Sequence, residues 1–441
     1  MAPENFGCHP DFKLNVKPNL NKGIWGKRIS LRQLSNSFHP AVILIPRNEL
    51  LWVVDSTGEH VFLPKIMRFP FSSYDIYIKD EEGLFNELCS FAFHRLGKIM
   101  QLGYLIPPRP TDLDDEIELA YVIPTFSHTR FLHSMLVAAI YDVVLAKNGF
   151  SEKERAKYIL TAAAHDIATP AGGDSVKRVD PKNLHEENAF SWVLNYHGLT
   201  KQWKKRYKFN IREARRIVKN KGVFGHLLEI IDRICYTGVD CFAIGSIRDG
   251  NIRKLCLENP LIMDIWQDIK FTDKQSFGFT NPERLFKFLM LRAFEHKELL
   301  KNPYSRILDF FLKKLVAPLY KKGLITKEDL LTKGDDWLTI FLGKYYPEEI
   351  KGVFEPEDIS WKKFNSEEEQ KNFCAEIKDK RIDHIEYLKG FETGLNYRVF
   401  TEDNKLVPLR EVIDPEKIEL LEEISESIKG YYVYYKQKSN V

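Results

Sequence analysis

Apolar residues recur at helical spacing through the middle of the chain, from about residue 81 to residue 325. The segments RFLHSMLVAAIYDVVLAKNG and GVFGHLLEIIDRICYTGVDCFAIG predict two long apolar helices. Between them, Ser151 and Glu154 form a capping-box pattern at the start of a third helix. Asp180 followed by Pro181 predicts the cap and first position of a fourth. The central part of the chain is therefore predicted to be helical throughout.

Strand-like patterns flank this helical region. Residues 1–80 contain short apolar runs such as AVILIP and LLWVVD, typical of strands and loops, and DLDDEIELAYVIPTF predicts a strand or hairpin. Near the end, YRVFTEDNKLVPLREV and GYYVYYKQ alternate like strands, whereas PEDISWKKFNSEEEQKNF predicts a surface loop or helix. We predict a mainly α-helical fold with a strand-containing N-terminal region (1–80), a helical core (81–325) and a C-terminal α+β region (326–441).

The composition fits a packed globular protein and excludes several classes. Of the 441 residues 44% are hydrophobic, and the net charge is only +3, so no global field calls for a nucleic-acid partner. The six cysteines are scattered, as in a protein with reduced thiols. No signal-peptide pattern or membrane-spanning apolar run is seen. A cytoplasmic protein without a membrane partner is expected.

Four side chains along the helical region are candidate metal ligands: His133, the adjacent pair His165 and Asp166, and Asp232. Asp232 lies in the apolar run EIIDRICY, where a carboxylate is costly unless it is paired or bound to a metal. Each residue alone would suit a structural role, such as an aspartate paired with Arg233. All four together favour a divalent ion, and imidazoles with carboxylates suit Mn, Fe, Co, Ni or Zn better than Ca or Mg alone.

The order H…HD…D resembles the HD-domain metal-dependent phosphohydrolases. Further motifs between about residues 80 and 320, including FSHTRFLHSMLVAA, DRICYTGVD and LRAFEHK, resemble the branch that hydrolyses deoxynucleoside triphosphates. The resemblance implies an HD-domain helical core that binds a divalent ion (Mn, Fe, Mg, Co, Ni or Zn). It also implies attack of metal-activated water on the α-phosphorus, which releases deoxynucleoside and triphosphate.

The same resemblance implies substrate-binding residues. Those expected to contact the phosphates are Arg130, Arg233 and Lys297. Those expected to contact the sugar are Gln101, Leu102, Tyr236 and Asp240. His296 belongs to the later motif and is also expected at the substrate.

The chain departs from the family where proton transfer is expected. Thr169 and Asp174 stand where the triphosphohydrolases have histidines, and Lys177 stands where a carboxylate is common, although the pair His185-Glu186 does match. In one interpretation Asp174 and His185 are catalytic and Lys177 contacts a phosphate. In others, the enzyme acts on another nucleotide or phosphoester, or the chain is a weakly active, nucleotide-binding regulatory protein. Asp174 could also be a simple turn residue.

One stretch, KQWKKRYKFNIREARRIVKNK, is dense in positive charge and interleaved with aromatic residues. It could bind nucleic acid or an allosteric nucleotide. We prefer a solvated helix surface, because the overall charge is nearly balanced. The family resemblance also implies a homo-oligomer, a dimer or a tetramer.

Overall fold

The structure is a computed structural model. Before residue 79 it describes five short strands. Beyond them it describes residue 87 and residues 90–100, 129–245, 250–259, 261–354, 359–377 and 381–436. Within these residues helices predominate, and the strands form four small sheets. The predicted mainly α-helical fold is confirmed. The predicted strand or hairpin in DLDDEIELAYVIPTF lies outside the described residues.

The helices of the central part run in chain order as α1 (Phe91–His94), α2 (Arg130–Lys147), α3 (Glu152–Ala163), α4 (Gly173–Lys177), α5 (Pro181–Leu184), α6 (Glu186–Tyr196), α7 (Leu199–Tyr207), α8 (Ile211–Val218), α9 (Gly222–Gly245), α10 (Gly250–Glu258), α11 (Pro282–Glu295) and α12 (Pro303–Lys321). The helices that follow are α13 (Lys327–Thr332), α14 (Asp335–Tyr345), α15 (Pro347–Phe354), α16 (Glu367–Glu376) and α17 (Pro415–Ile428). Short 3-10 helices occur at Arg95–Lys98, Ile262–Asp268 and Leu409–Glu411, and a π-helical turn at His296–Leu300.

The strands are β1 (Lys13–Asn15), β2 (Val42–Pro46), β3 (Trp52–Val54), β4 (Ile66–Arg68), β5 (Tyr74–Ile78), β6 (Ile269–Asp273), β7 (Ser276–Phe279), β8 (Ile359–Phe364), β9 (Arg381–Leu388), β10 (Arg398–Phe400), β11 (Leu406–Pro408) and β12 (Gly430–Lys436). Their sheet orders are β1-β3, β2-β5-β4, β11-β10-β7-β6 and β8-β12-β9. The third sheet joins a hairpin of the helical part to strands near the chain's end, with Val399 opposite Phe279.

The sequence signals at helix starts behave as predicted. The Ser151 N–H donates to the Glu154 carboxylate at 2.8 Å, which completes the capping box of α3. Asp180 caps α5 by accepting the Asn183 N–H at 3.2 Å. The helix predicted to continue from Pro181 is instead divided at His185, which is extended (φ −68°, ψ 129°) and precedes α6. This break places Glu186 in the first turn of a new helix.

One prediction for the C-terminal region is wrong. Residues 359–364, predicted as loop or helix, form β8, which pairs antiparallel with β12 along its whole length, for example Lys363 opposite Tyr432. The backbone groups of β12 form the hydrogen bonds of β8. Because β12 is distant in the sequence, this pairing could not be predicted from the residues around β8. The predicted strands in residues 398–408 and 430–436 are confirmed.

The helix α2 lies at the centre of the core. Almost every side chain from His133 to Leu145 is buried, so α2 packs against other helices on all sides. Its neighbours include α3 and α9, which approach it closely. Among the described residues, none of the helices is both long and apolar enough to span a membrane.

Candidate metal centre and active site

Three of the four predicted metal ligands converge where α2, α9 and the turn after α3 meet. His133 lies in the first turn of α2, His165 follows α3, and Asp232 lies in the middle of α9. The Nε2 atom of His133 lies 2.7 Å from Asp232 Oδ1, and the Nε2 atom of His165 lies 3.4 Å from the same oxygen. One ligand atom from each residue falls within 4.8 Å of the others, close enough to share one ion.

Asp166, the fourth predicted ligand, lies at the same centre. Its Oδ2 atom is 3.9 Å from His133 Nε2 and 3.7 Å from His165 Nε2. The same oxygen accepts a hydrogen bond from Arg130 Nη1 at 2.8 Å. The structure therefore brings all four residues together, with Asp166 shared between the centre and Arg130.

The turn that carries His165 and Asp166 is held by hydrogen bonds to its backbone and side chains. His165 Nδ1 donates to the Ala162 carbonyl at 2.7 Å, which leaves Nε2 facing the centre. Arg95 Nη2 donates to the carbonyls of Ile167 and Thr169, both at 2.8 Å. The Thr169 hydroxyl donates to Asp166 Oδ1 at 3.3 Å. Thr169 thus contacts one of the four predicted metal ligands.

The chemistry of this centre fits a divalent ion. His165 Nε2 is buried, and no described residue forms a hydrogen bond with it within normal limits. Burial alone would lower the pKa of His165, but the carboxylates of Asp166 and Asp232 raise it to about 9. Burial would raise the pKa of Asp232, but its contacts with the two histidines hold that pKa well below its ordinary value. The centre thus favours positive charge among two imidazoles and two carboxylates.

Positive and negative side chains alternate in a row that begins at the centre. Arg130 donates to Asp166 and also, through Nη2 at 3.2 Å, to Asp174. Lys177 Nζ lies 2.6 Å from the other oxygen of Asp174 and 2.7 Å from Glu186 Oε2. We call these five residues, Asp166, Arg130, Asp174, Lys177 and Glu186, the charge row. Asp174 is thus more than a turn residue, because it bridges two cations.

Three residues of the centre, His165, Asp166 and Asp232, line one cavity of about 250 Å³ together with the charge row. Its described lining consists of Arg130, His165, Asp166, Asp174, Lys177, Glu186, Glu187, Val218, Asn220, Leu228, Glu229, Asp232, Tyr236, Asp240 and Leu300. These residues include seven carboxyl groups and two permanent cations, Arg130 and Lys177. An anionic ligand would need further positive charge to enter, which a bound divalent ion could supply.

Two predicted sugar contacts, Tyr236 and Asp240, also line the cavity. The Tyr236 hydroxyl accepts a hydrogen bond from Arg292 Nη2 at 3.1 Å. Asp240 and Glu295 interact through a side-chain hydrogen bond, and Thr237 donates to Glu295 Oε2 at 2.8 Å. Burial raises the pKa of both carboxyl groups, that of Glu295 to about 7. The pair therefore retains a proton near neutral pH.

Several predicted site residues lie outside the described cavity lining. His185 is partly exposed, with Nδ1 3.4 Å from Glu186 Oε2. Arg233 turns away from Asp232, because adjacent helical residues do not share a face. It contacts Tyr397 and Glu229, and Glu392 at 2.9 Å.

The later motif is also displaced from this cavity. His296 stacks on Phe391 with ring centroids 5.2 Å apart, and burial lowers its pKa well below the ordinary value. Lys297 is partly exposed and lies 3.9 Å from Glu298. Gln101 and Leu102 lie outside the described residues.

Some cavity residues were not predicted from the sequence. Glu295 lies beneath the lining, fully buried in the apolar helix α11. The desolvation argument that singled out Asp232 applies equally to it. Glu187, Asn220 and Glu229 reach the cavity only because α6, the residues after α8, and α9 come together there, and no local sequence pattern indicates that approach.

The aromatic residues of the basic stretch belong to the core rather than to an exposed surface. Trp203 and Phe209 are buried and pack edge to face, with centroids 5.2 Å apart. Lys204 and Lys205 are exposed on α7, and Arg206 forms an ion pair with Glu87. These two rings therefore stabilise the fold and are not available to stack on bases.

Two solved structures of other proteins are similar to this chain in fold. No family model and no curated protein matches the chain. A hypothetical protein from Aquifex aeolicus matches with a TM-score of 0.62 and 18% identity, over 84% of this chain and 96% of that one. A phosphohydrolase from Bacteroides thetaiotaomicron matches with a TM-score of 0.58 and 16% identity, over 85% of this chain and 100% of that one. The chain thus shares its fold with a phosphohydrolase.

Proposed function

We propose that the chain is a metal-dependent phosphohydrolase of the HD type. The observation that carries the proposal is the convergence of His133, His165, Asp166 and Asp232 beside one acid-rich cavity. These four residues would hold the ion. When bound, it would lower the pKa of water and offset charge on the phosphoryl oxygens. The shared fold with a phosphohydrolase supports the same class of reaction.

We further propose that a deoxynucleoside triphosphate is the substrate, hydrolysed to deoxynucleoside and triphosphate. This is supported by the resemblance together with the position of three of its residues, since Arg130, Tyr236 and Asp240 line one cavity with the metal ligands. Arg130 would orient a phosphate next to the centre. Tyr236 would lie against the sugar, and Asp240, which retains a proton with Glu295, could donate to a sugar hydroxyl.

Asp174 is our candidate for moving a proton. Its carboxylate is half-exposed at the cavity and is held by Arg130 and Lys177, which keep its pKa well below the ordinary value against the effect of burial. A carboxylate that stays ionised can orient water or accept a proton from it. His185, 3.4 Å from Glu186, lies beside the same row and would exchange that proton with solvent.

A second candidate function is hydrolysis of another nucleotide or phosphoester with fewer negative charges. It is favoured by the described cavity lining, in which Asp166, Asp174, Glu186, Glu187, Glu229 and Asp232 outnumber the two cations even without Asp240, since a triphosphate would meet strong repulsion there. A regulatory protein that binds nucleotide with little turnover would share the same metal centre.

Product analysis separates these functions. Purified protein is incubated with Mn²⁺ and the four deoxynucleoside triphosphates, singly and mixed, and the products are resolved by ion-exchange chromatography. Deoxynucleoside with intact triphosphate, lost in His165→Ala, is the expected result. Monophosphate with free phosphate would favour the second candidate. Absence of turnover in every mixture, with Mn²⁺ bound, would contradict both hydrolase proposals and favour a regulatory role.

A further inference from the structure

Lys177 is a buried cation held between two carboxylates. Its Nζ atom lies 2.6 Å from Asp174 Oδ1 and 2.7 Å from Glu186 Oε2, and its side chain is only 9% exposed. Asp174 and Lys177 are both carried by the five-residue helix α4, whereas Glu186 comes from the first turn of α6. Two separate elements thus present oxygen atoms to a single point.

The surroundings keep this lysine charged. Burial alone would lower the pKa of Lys177, but the carboxylates of Asp174 and Glu186 raise it above its ordinary value. Arg130 occupies the corresponding place between Asp166 and Asp174. Each carboxylate of the charge row therefore has a permanent cation beside it.

The point occupied by Nζ has the features of a cation site. Carboxylate oxygens bind divalent ions such as Mg²⁺ at roughly 2.0–2.1 Å, so a small inward movement of both oxygens would bring them to ligand distance. Without the ammonium, Asp174 and Glu186 would face each other at the cavity wall, and their mutual repulsion would favour the uptake of another cation.

We propose that the Lys177 ammonium is the second cation of this site, fixed in the chain, and that it limits the site to one exchangeable divalent ion. The inference rests on the proposed metal-dependent function, which assigns the exchangeable ion to the centre at His133, His165, Asp166 and Asp232. Lys177 is a positioning residue for Asp174 and Glu186, and it supplies charge next to the phosphates without depending on metal supply.

Metal stoichiometry tests this directly. Full-length wild type and Lys177→Met are dialysed against Mn²⁺, and bound manganese per chain is measured by atomic emission. Methionine has a similar length but no charge. We expect one ion in the wild type and two in Lys177→Met. The double variant Lys177→Met/Glu186→Gln should return to one, because the second ion would lose a carboxylate ligand.

Two further variants serve as controls for the loss of the Lys177 charge. Lys182→Met removes an exposed lysine of the neighbouring helix α5 and should leave one ion bound. Lys177→Arg keeps the charge and should also bind one. If Lys177→Met fails to fold, the wild type itself still tests the proposal, since its stoichiometry should remain one as Mn²⁺ is raised from micromolar to millimolar concentrations.

The outcomes distinguish this inference from the proposed function. Two ions in the wild type, or one ion in a folded Lys177→Met, would overturn the role of Lys177 while the metal centre stands. No bound ion in any of the proteins would contradict the metal centre itself. One ion in the wild type and two in Lys177→Met would support the proposal.

Discussion

The imidazole of His133 and the carboxylate of Asp232 lie 2.7 Å apart, although they are 99 positions apart in the sequence. Their helices, α2 and α9, pack directly against each other. The buried core of α2 fixes the His133 ring, and Asp232 meets it from the facing helix. The geometry of the candidate metal centre therefore depends on how these two helices and the turn after α3 are held together.

Arg95 holds that turn, so its loss should weaken both stability and metal binding. Arg95→Met removes the donor for the buried carbonyls of Ile167 and Thr169, and also for the carbonyl of Lys333 at 3.1 Å. Each carbonyl left without a donor costs about 1–3 kcal/mol. We expect the free energy of unfolding in urea to fall by about 3 kcal/mol or more, and Mn²⁺ affinity to fall as well.

The matched control for this prediction is Lys98→Met. Lys98 is exposed and pairs with Asp336 at the surface, so its removal should change stability by less than about 1 kcal/mol. Equal stability of Arg95→Met and Lys98→Met would show that Arg95 does not hold the turn.

Gly172 is required before α4, and Gly173 provides the comparison. Both have positive φ, 82° and 57°, so alanine at either position is strained by about 1 kcal/mol. At Gly172 a Cβ would also lie 2.4 Å from Val176 and 2.9 Å from Leu338, whereas it would meet nothing within 4 Å at Gly173. We expect Gly172→Ala to be less stable than Gly173→Ala by about 1–3 kcal/mol in urea unfolding.

The strain at Gly172 should also displace the cavity residues Asp174 and Lys177, because α4 carries both of them. If the two alanine variants unfolded at the same urea concentration, the close packing of Gly172 against α14 would be contradicted.

Glu295 should make stability fall as the pH rises. Burial raises its pKa from 4.5 to about 7, so the folded state binds its proton more tightly than the unfolded state does. The stabilisation is fully present below about pH 4.5 and is lost as the pH approaches and passes 7. In Glu295→Gln the contribution of Glu295 to this dependence is removed, and the wild type should lose about 3 kcal/mol relative to the variant across that window.

Urea unfolding at pH 4.5, 6 and 8 measures how the free energy of unfolding changes with pH. Glu283→Gln, on the exposed face of the same helix, serves as the control and should keep the wild-type profile. An unchanged pH dependence in Glu295→Gln would mean that the carboxyl pair with Asp240 does not hold a proton in the folded protein.

Much of the fold could be predicted from the sequence, because its signals are local. The apolar spacing of α2 and α9 and the capping residues Ser151 and Asp180 depend on neighbours within one or two turns. The strand β8 could not be found in this way. Its apolar residues Ile359, Trp361 and Phe364 stand between polar segments that favour a loop or helix, and its partner strand β12 is distant in the sequence.

The four candidate metal ligands could be selected from the sequence for a different reason. Their order along the chain is distinctive, and a carboxylate inside an apolar helix needs a partner. Arg233 illustrates the limit, since its position next to Asp232 says nothing about the face on which it lies. Glu186 and Lys177 form a contact that depends on the break at His185, and no periodicity indicates that break.

The most direct test of the metal centre is calorimetric titration of Mn²⁺ into the metal-free protein. The wild type should bind one ion, and His165→Ala should lose that binding, because Nε2 is the ring atom that faces the centre. His94→Ala, which removes an exposed histidine of α1, should bind as the wild type does. A wild type that binds no divalent ion, or a His165→Ala protein that binds Mn²⁺ with unchanged affinity, would contradict the account.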